Sequence, residues 1–390
     1  MSNWDFDKII DRHNTKALKT DVLKERFGRA DLLPLWVADM DFEVFEGISE
    51  ALQKRFAHKI YGYSCPCESY WQSIIDWEKE MHGFSFGREE ITYIPGVVKG
   101  IAMAVNFFTE KGDKIVIQPP VYHPFKMVIK GNDRVVVNNP LKLSNDNYSM
   151  DFDNLEHVFK TESPKMLVLC NPHNPVGITW SRDTLVTLAK LCKKYNVLVL
   201  SDEIHGDLAL FGNEHISFAT ACEEASENSV IFGAPSKTFN IPGLVSSWVV
   251  VKNEKIRRPF FEWLEHNEFD APTFVATIAT EAAYRGGKEW LAALKEYIEK
   301  NIETVEEYCK ANIPAIKVIR PQASFLVWLD CSGLRMNHNQ LIDLFVNKAG
   351  LALNDGEMFG CGGECHMRFN VASPRSMIIK ALERLAEVLK

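Results

Sequence analysis

No stretch of this 390-residue chain is apolar for long enough to span a bilayer. It also lacks a basic run, an internal repeat and a low-complexity segment. Lys and Arg number 44 against 52 Asp and Glu, a net charge of -8. That balance argues against nucleic acid as the main partner and gives no sign of a membrane surface. The opening MSNWDFDKII lacks the basic start and hydrophobic block of a secretory signal. The expectation is a cytoplasmic protein whose nine cysteines are reduced thiols; an odd number excludes full pairing within one chain. There is no CxxC pair. SCPCES, with Cys65 and Cys67, and GCGGECH, with Cys361, Cys365 and His366, lie far apart and lack metal-ligand spacing, so no metal is expected. No GxGxxG follows any predicted strand, which sets aside a nicotinamide enzyme.

What is present reads as a globular α/β chain. Hydrophobic residues make up 46% and charged residues 25%, with a length too great for one small core. We expect an arm at residues 1–45, a large domain at 46–275 and a small domain at 276–390. Residues 1–45 look irregular. GISEALQKRFAH and ESYWQSIIDWEKEMH read as helices. From residue 91 short aliphatic strands alternate with helices: ITYI, KIVIQ, RVVVNN, MLVLC, VLVL and SVIFGA, with SRDTLVTLAKLCKKY as a helix capped by Ser181. Uninterrupted aliphatic strands in such alternation predict a mostly parallel sheet covered by helices on both faces. One junction differs. Between SVIFGA and LVSSWVVV only PSKTFNIPG intervenes, too short for a parallel crossover, so one strand should run antiparallel. After about residue 270 the chain turns helical, with one long helix or two broken at Gly286–Gly287. ASFLVWLD, CHMRFNVA and a terminal helix then build a smaller α+β domain that the N-terminal segment completes.

Ligands of open α/β sheets collect at the carboxyl ends of strands. Those ends carry Gly96, Val97 and Val98 at a helix start, then Tyr122, NPHNPVG, Asp202 with His205, and Ser236–Lys237. Each alone has an ordinary reading as a turn, a cap or a solvated side chain. Asp202 stands out, because VLVLSDEIHGDL runs a buried strand straight into a carboxylate that needs a positive partner. Taken together, the set offers a helix N-terminus for a phosphate, an aromatic plate, an acid for a ring nitrogen and an amine for an aldehyde.

NPHNPVG, SDEIHGDL, SKTFNIPG and MRFNVA, in this order, resemble the fold-type-I pyridoxal-phosphate enzymes of the class I and II aminotransferase superfamily. WVADMDF, YGY and DEIH make the chain most similar to the MalY/PatB group of cystathionine β-lyases. The resemblance implies pyridoxal 5'-phosphate as cofactor. Lys237 would carry it covalently and move the substrate's α-proton. Asp202 would pair with its ring nitrogen, Tyr122 and Ile204 would cover its two faces, and Asn174 and His205 would lie near its phenolic oxygen. The amides of Val97 and Val98 and the Ser236 hydroxyl would hold its phosphate. The resemblance also implies a homodimer, with Tyr61, or next Tyr63, reaching the neighbour's phosphate. Arg368, Asn174 and the backbone at Val37 and Ala38 would bind the substrate carboxylate.

One departure matters. Many aminotransferases carry an arginine eight residues after the lysine, and here that residue is Val245. The implied activity is release of thiol, pyruvate and ammonia from a small-molecule sulfur amino acid such as cystathionine. An aminotransferase on the same scaffold is the alternative, as is a cofactor-holding regulatory protein that binds a transcription activator.

Overall fold

The computed structural model of the chain describes residues 4–145 and 147–390. Its centre is a seven-stranded sheet. In spatial order the strands are Ile91–Ile94, Ser247–Val250, Ser229–Gly233, Leu198–Asp202, Met166–Cys170, Lys114–Ile117 and Val135–Asn138. Ser247–Val250 runs antiparallel to both its neighbours, and the other adjacent pairs are parallel. The reversed strand expected from the short link after Ala234 is therefore found.

Strand side chains alternate between faces, and here both faces are buried. Leu167, Leu169, Val199 and Ile231 enter one hydrophobic cluster, while Val168, Leu200, Val230 and Phe232 enter the other. Helix Arg182–Lys194 covers the first face with Leu185, Leu188 and Cys192. Helices Val97–Phe108 and Glu254–His266 cover the second with Ile101, Phe260 and Leu264. Each such side chain stabilises the fold by roughly 1.5–3 kcal/mol through burial. As the sequence suggests, Ser181 caps its helix by accepting from the Thr184 amide.

A second sheet has four antiparallel strands in the order Lys317–Ile319, Leu326–Asp330, His366–Asn370 and Asn354–Asp355. Gly286–Gly287 does break the helical stretch, into Phe274–Gly286 and Lys288–Asn312. The N-terminal segment is less irregular than its sequence suggests. It holds short helices at Leu18–Asp21 and Leu23–Phe27 and a strand, Leu33–Pro34, paired in parallel with Leu351–Ala352. Among the described residues no helix is long and apolar enough to cross a membrane, and all nine cysteines are free thiols.

The segment Trp36–Phe42 is tied down by polar side chains from far along the chain. Asn240 accepts from the Met40 amide at 2.9 Å and donates to the Met40 and Phe42 carbonyls. Asn370 donates to the carbonyls of Val37 and Asp39. Asp41 meets Arg12 and the fully buried Lys19, each at 2.7 Å, and accepts from Ser373. Burial pushes the Asp41 carboxyl up, but Lys19, Ser373 and Arg12 outweigh it and hold it below the usual carboxylate range.

Replacing Asp41 by alanine leaves the buried Lys19 only its longer contact to Asp39, at 3.7 Å, and is expected to cost about 3 kcal/mol in urea unfolding. Because the folded carboxyl is depressed, its contribution is complete above about pH 4, the unfolded value. It is lost as pH falls through the folded value. A wild-type midpoint for the variant at neutral pH would contradict this anchoring.

Candidate active site

The parallel strands end on one edge of the large sheet, and a cavity of about 270 Å³ lies there. Gly96, at the turn into helix Val97–Phe108, has φ of +115°, a conformation that side chains disfavour. It lets the chain reverse so that the helix presents its first amides, those of Val97 and Val98, beside the cavity. Ser236 lines the cavity as well, and so does Lys99 in the same first turn, a cation that makes no ion pair among the described residues. Tyr122 and Ile204 also line it, together with Asn174 and His205. The Nδ1 atom of His205 is buried and has no hydrogen-bond partner.

Asp202 ends its strand inside this cavity, 3% exposed. Its Oδ1 accepts from the Ile204 amide at 3.1 Å, and no ion pair reaches it among the described residues. Burial pushes its carboxyl up to about 7 despite the Ile204 amide and the Lys237 charge, which pull it down. Glu203, next in the motif, turns elsewhere. It accepts from Ser201, the Phe218 amide and His215 in a buried cluster behind the cavity. Lys237 faces the same cavity and donates from Nζ to the Ala38 carbonyl at 2.6 Å. Burial pushes its amine down to about 8, with Arg368 pushing the same way and Asp39 and Asp202 opposing.

A larger cavity of about 620 Å³ adjoins the first and shares Ala38, Tyr122 and Lys237 with it. Arg368 and Val37 line this second space. Arg368 is buried and donates to Asn174 Oδ1 at 3.0 Å, Asn354 Oδ1 at 2.6 Å and the Trp36 carbonyl at 3.2 Å. Burial lowers it to about 10, and its Nε has no partner.

Of the residues singled out in the sequence, twelve gather around these two joined spaces and Tyr61 does not. Tyr61 lies on the surface, 57% exposed, stacked on Phe274 with its hydroxyl donating to the Phe56 carbonyl. Tyr63 is fully exposed. Val245 does line the inner cavity, held at φ of +54° while its carbonyl accepts from Tyr93. A β-branched residue in that region is strained.

Sequence reasoning missed a supporting layer. Asp207, buried, accepts from Thr238 at 2.7 Å, His82 at 2.8 Å and Trp77 at 2.9 Å. Burial opposes the charge on His82, but Asp207 and Glu78 outweigh it and raise the imidazole to about 9. The charged His82 in turn helps hold Asp207 ionised, and Thr238 is the neighbour of Lys237. Asp207 was visible in SDEIHGDL, but nothing in the sequence joined it to His82 or Thr238. Lys99 was equally visible, three residues after Gly96.

These residues fit a flat, cationic heterocycle that bears an aldehyde and a phosphate. The buried Asp202 lacks a counter-ion, the Lys237 amine is easily deprotonated, and a helix N-terminus lies at the same cavity.

The family described as aminotransferase class I and II matches residues 31–385. The chain is 40% identical over 384 residues to cystathionine beta-lyase PatB of Bacillus subtilis (strain 168), covering 98% of this chain and 99% of that one. It is 31% identical to protein MalY of Escherichia coli (strain K12), covering 99% of each. The crystal structure of the PLP-bound C-S lyase from Staphylococcus hominis superposes with a TM-score of 0.93 at 32% identity, covering 100% of this chain and 98% of that one.

In ligand-free protein, labelling of Lys237 by trinitrobenzenesulfonate, read by peptide mass spectrometry, is expected to rise with pH through a midpoint of about 8. Exposed lysines should follow at about 10.4. Asp202→Asn removes an anion that favours the ammonium form, so it should move the Lys237 midpoint lower. A Lys237 midpoint equal to that of the exposed lysines would refute the desolvated site.

Proposed function

The chain belongs to the class I and II aminotransferase family, and from that premise we propose that it is a pyridoxal-phosphate-dependent carbon–sulfur β-lyase. It cleaves cystathionine and related cysteine S-conjugates, with one water, to a thiol, pyruvate and ammonium. The observation that carries this reading is the convergence of Asp202 and Lys237 on one cavity, with Arg368 lining the adjoining space.

When bound, pyridoxal 5'-phosphate supplies an aldehyde for the substrate amine and an electron sink for the α-carbon. Asp202 is the residue for its ring nitrogen, Tyr122 and Ile204 for its faces, and Asn174 and His205 for its phenolic side. The Val97 and Val98 amides and the Ser236 hydroxyl suit its phosphate. Lys99 adds a positive charge at that end, where Val245 supplies none. Arg368, helped by Asn174 and the backbone at Val37 and Ala38, orients the substrate through its α-carboxylate as a planar fork. Lys237, with an amine near 8, takes the α-proton at neutral pH and is then an ammonium able to protonate the departing thiolate.

We also assign the working form to a homodimer. Phe56, Ile60, Tyr61 and Tyr63 are exposed together on one surface segment, beside Phe274. An aromatic patch of this kind suits an interface between two copies, across which Tyr61, or next Tyr63, would reach the neighbour's phosphate. Nine free thiols suit a reducing compartment, so the cytoplasm is the proposed location.

Purified holoenzyme given L-cystathionine is expected to release thiol and pyruvate in equal amounts, read by a thiol reagent and by lactate dehydrogenase. Lys237→Ala should lower kcat by roughly 10³-fold or more. Light scattering should give twice the 44.4 kDa chain mass. Release of no thiol from cystathionine, cystine or S-alkylcysteines, with amino transfer to a 2-oxo acid instead, would replace the lyase by a transaminase.

A further inference from the structure

The outer cavity of about 620 Å³ is larger than an α-carboxylate subsite needs. Arg368 and Asn354 line its inner part, beside Lys237. Trp36, Met358 and Val22 give it apolar wall. Two further lining residues are Glu25 and Arg26, neighbours on the short helix Leu23–Phe27. Both are exposed, and neither makes an ion pair among the described residues. The Arg26 guanidinium has one neighbour of note, the Trp36 ring, with its centroid 5.9 Å away.

The arrangement is one of opposite charges, side by side, at the solvent end of an apolar passage. An isolated surface arginine or glutamate is ordinary. An unpaired one of each sign, lining the space that leads to Lys237, matches a ligand that itself carries both signs on one carbon. His123, also in this space, does not neutralise either. Burial, Arg368 and Arg26 push its imidazole down to about 4, so it is uncharged at neutral pH.

We propose that Arg26 and Glu25 bind the second amino-acid head of the substrate, its distal carboxylate on Arg26 and its distal ammonium on Glu25. The preferred substrates are then thioethers or disulfides with an amino acid at both ends, over cysteine conjugates with uncharged tails. The inference rests on the lyase reading and narrows its substrate class. The sulfur and methylene stem of such a substrate lies along Trp36 and Met358, where thioether contacts with an aromatic ring and a polarisable side chain are favourable. A guanidinium forks onto a carboxylate with two parallel hydrogen bonds, so Arg26 is the stronger of the two contacts.

The test compares L-cystathionine with S-ethyl-L-cysteine on the holoenzyme and on Arg26→Ala, Arg26→Glu and Glu25→Gln proteins. The quantity read is the ratio of kcat/KM for the two substrates, which cancels general damage to the site. The wild type should favour cystathionine. The ratio should fall roughly tenfold in Arg26→Ala, further in Arg26→Glu and less in Glu25→Gln. Calorimetric binding of the same two compounds to Lys237→Ala protein holding its cofactor gives a second readout, and adding Arg26→Ala should shift the ratio of dissociation constants the same way. Raising the ionic strength should narrow the preference, since the contact is at the solvent end. Ratios unchanged within twofold in both Arg26 variants, with the wild type cleaving both substrates, would overturn the inference. Thiol release from neither substrate by the wild type would instead remove the lyase reading beneath it.

Discussion

Two groups of opposite charge share one cavity without touching, and the rest of the fold serves that arrangement. Asp202 and Lys237 are both driven toward neutrality by burial, one up to about 7 and the other down to about 8. In water each would sit several units from neutral pH; here each titrates close to it. Helices on both faces bury the sheet up to the strand ends, and the register sets Asp202 opposite Phe232, five residues before Lys237. A cationic ring bound as proposed would restore the charge on Asp202, and Lys237 would exchange protons whenever its amine is free of the aldehyde. The same low dielectric therefore favours an ionised acid and a neutral base, provided the ligand brings the missing cation.

Lys237 itself is held mainly through its neighbours. Thr238 is bonded to Asp207, which Trp77 and His82 also hold from helix Glu68–His82. Asn240 grips the backbone at Met40 and Phe42. One turn thus joins the back of the large sheet to the N-terminal segment, whose Ala38 carbonyl accepts from the lysine amine. Fixing the turn through Thr238 and Asn240 leaves the amine with a single hydrogen bond, to a neutral carbonyl, to exchange when an aldehyde arrives. A salt bridge directly to Lys237 would hold it more firmly and cost reactivity.

The large sheet was legible because its strands are short, aliphatic and punctuated, and the reversed strand because PSKTFNIPG cannot cross over. The helix Glu254–His266 was passed over although Ile256, Phe260 and Leu264 recur every four residues; Pro259 interrupts that stripe. The hairpin Lys142–Ser144 with Asn147–Ser149 is mostly exposed and so leaves little hydrophobic signal. At the site, residues that follow strand ends were readable one by one, since topology alone delivers them to a common edge. What could not be read were contacts across long sequence separations. Asp207 with His82, Asn370 with the Val37 carbonyl and Arg368 with Asn354 depend on tertiary packing that no local pattern encodes, and Arg368 was joined to Asn174 only through the family resemblance. Tyr61 is a different case: folding of the single chain leaves it on the surface against Phe274, away from the cavity, and only the proposed second copy would bring it to a phosphate.

The choice of amides around Arg368 follows from the same electrostatics. Its two terminal nitrogens are satisfied by Asn174, Asn354 and the Trp36 carbonyl, all neutral acceptors. The guanidinium is therefore oriented without being neutralised. A carboxylate at either asparagine position would form a buried internal ion pair and compete with any incoming anion. With amides instead, burial leaves the cation uncompensated, lowered to about 10 and with Nε unpartnered. A carboxylate bound there as proposed would supply both the counter-charge and acceptor atoms in one step. Its binding also relieves the field at Lys237, because Arg368 is one of the charges that push the amine down. On the proposed roles, carboxylate recognition and the basicity of the Lys237 amine would be linked through one arginine. An anion paired with Arg368 would therefore make the free Lys237 amine a better proton acceptor than it is in the ligand-free protein.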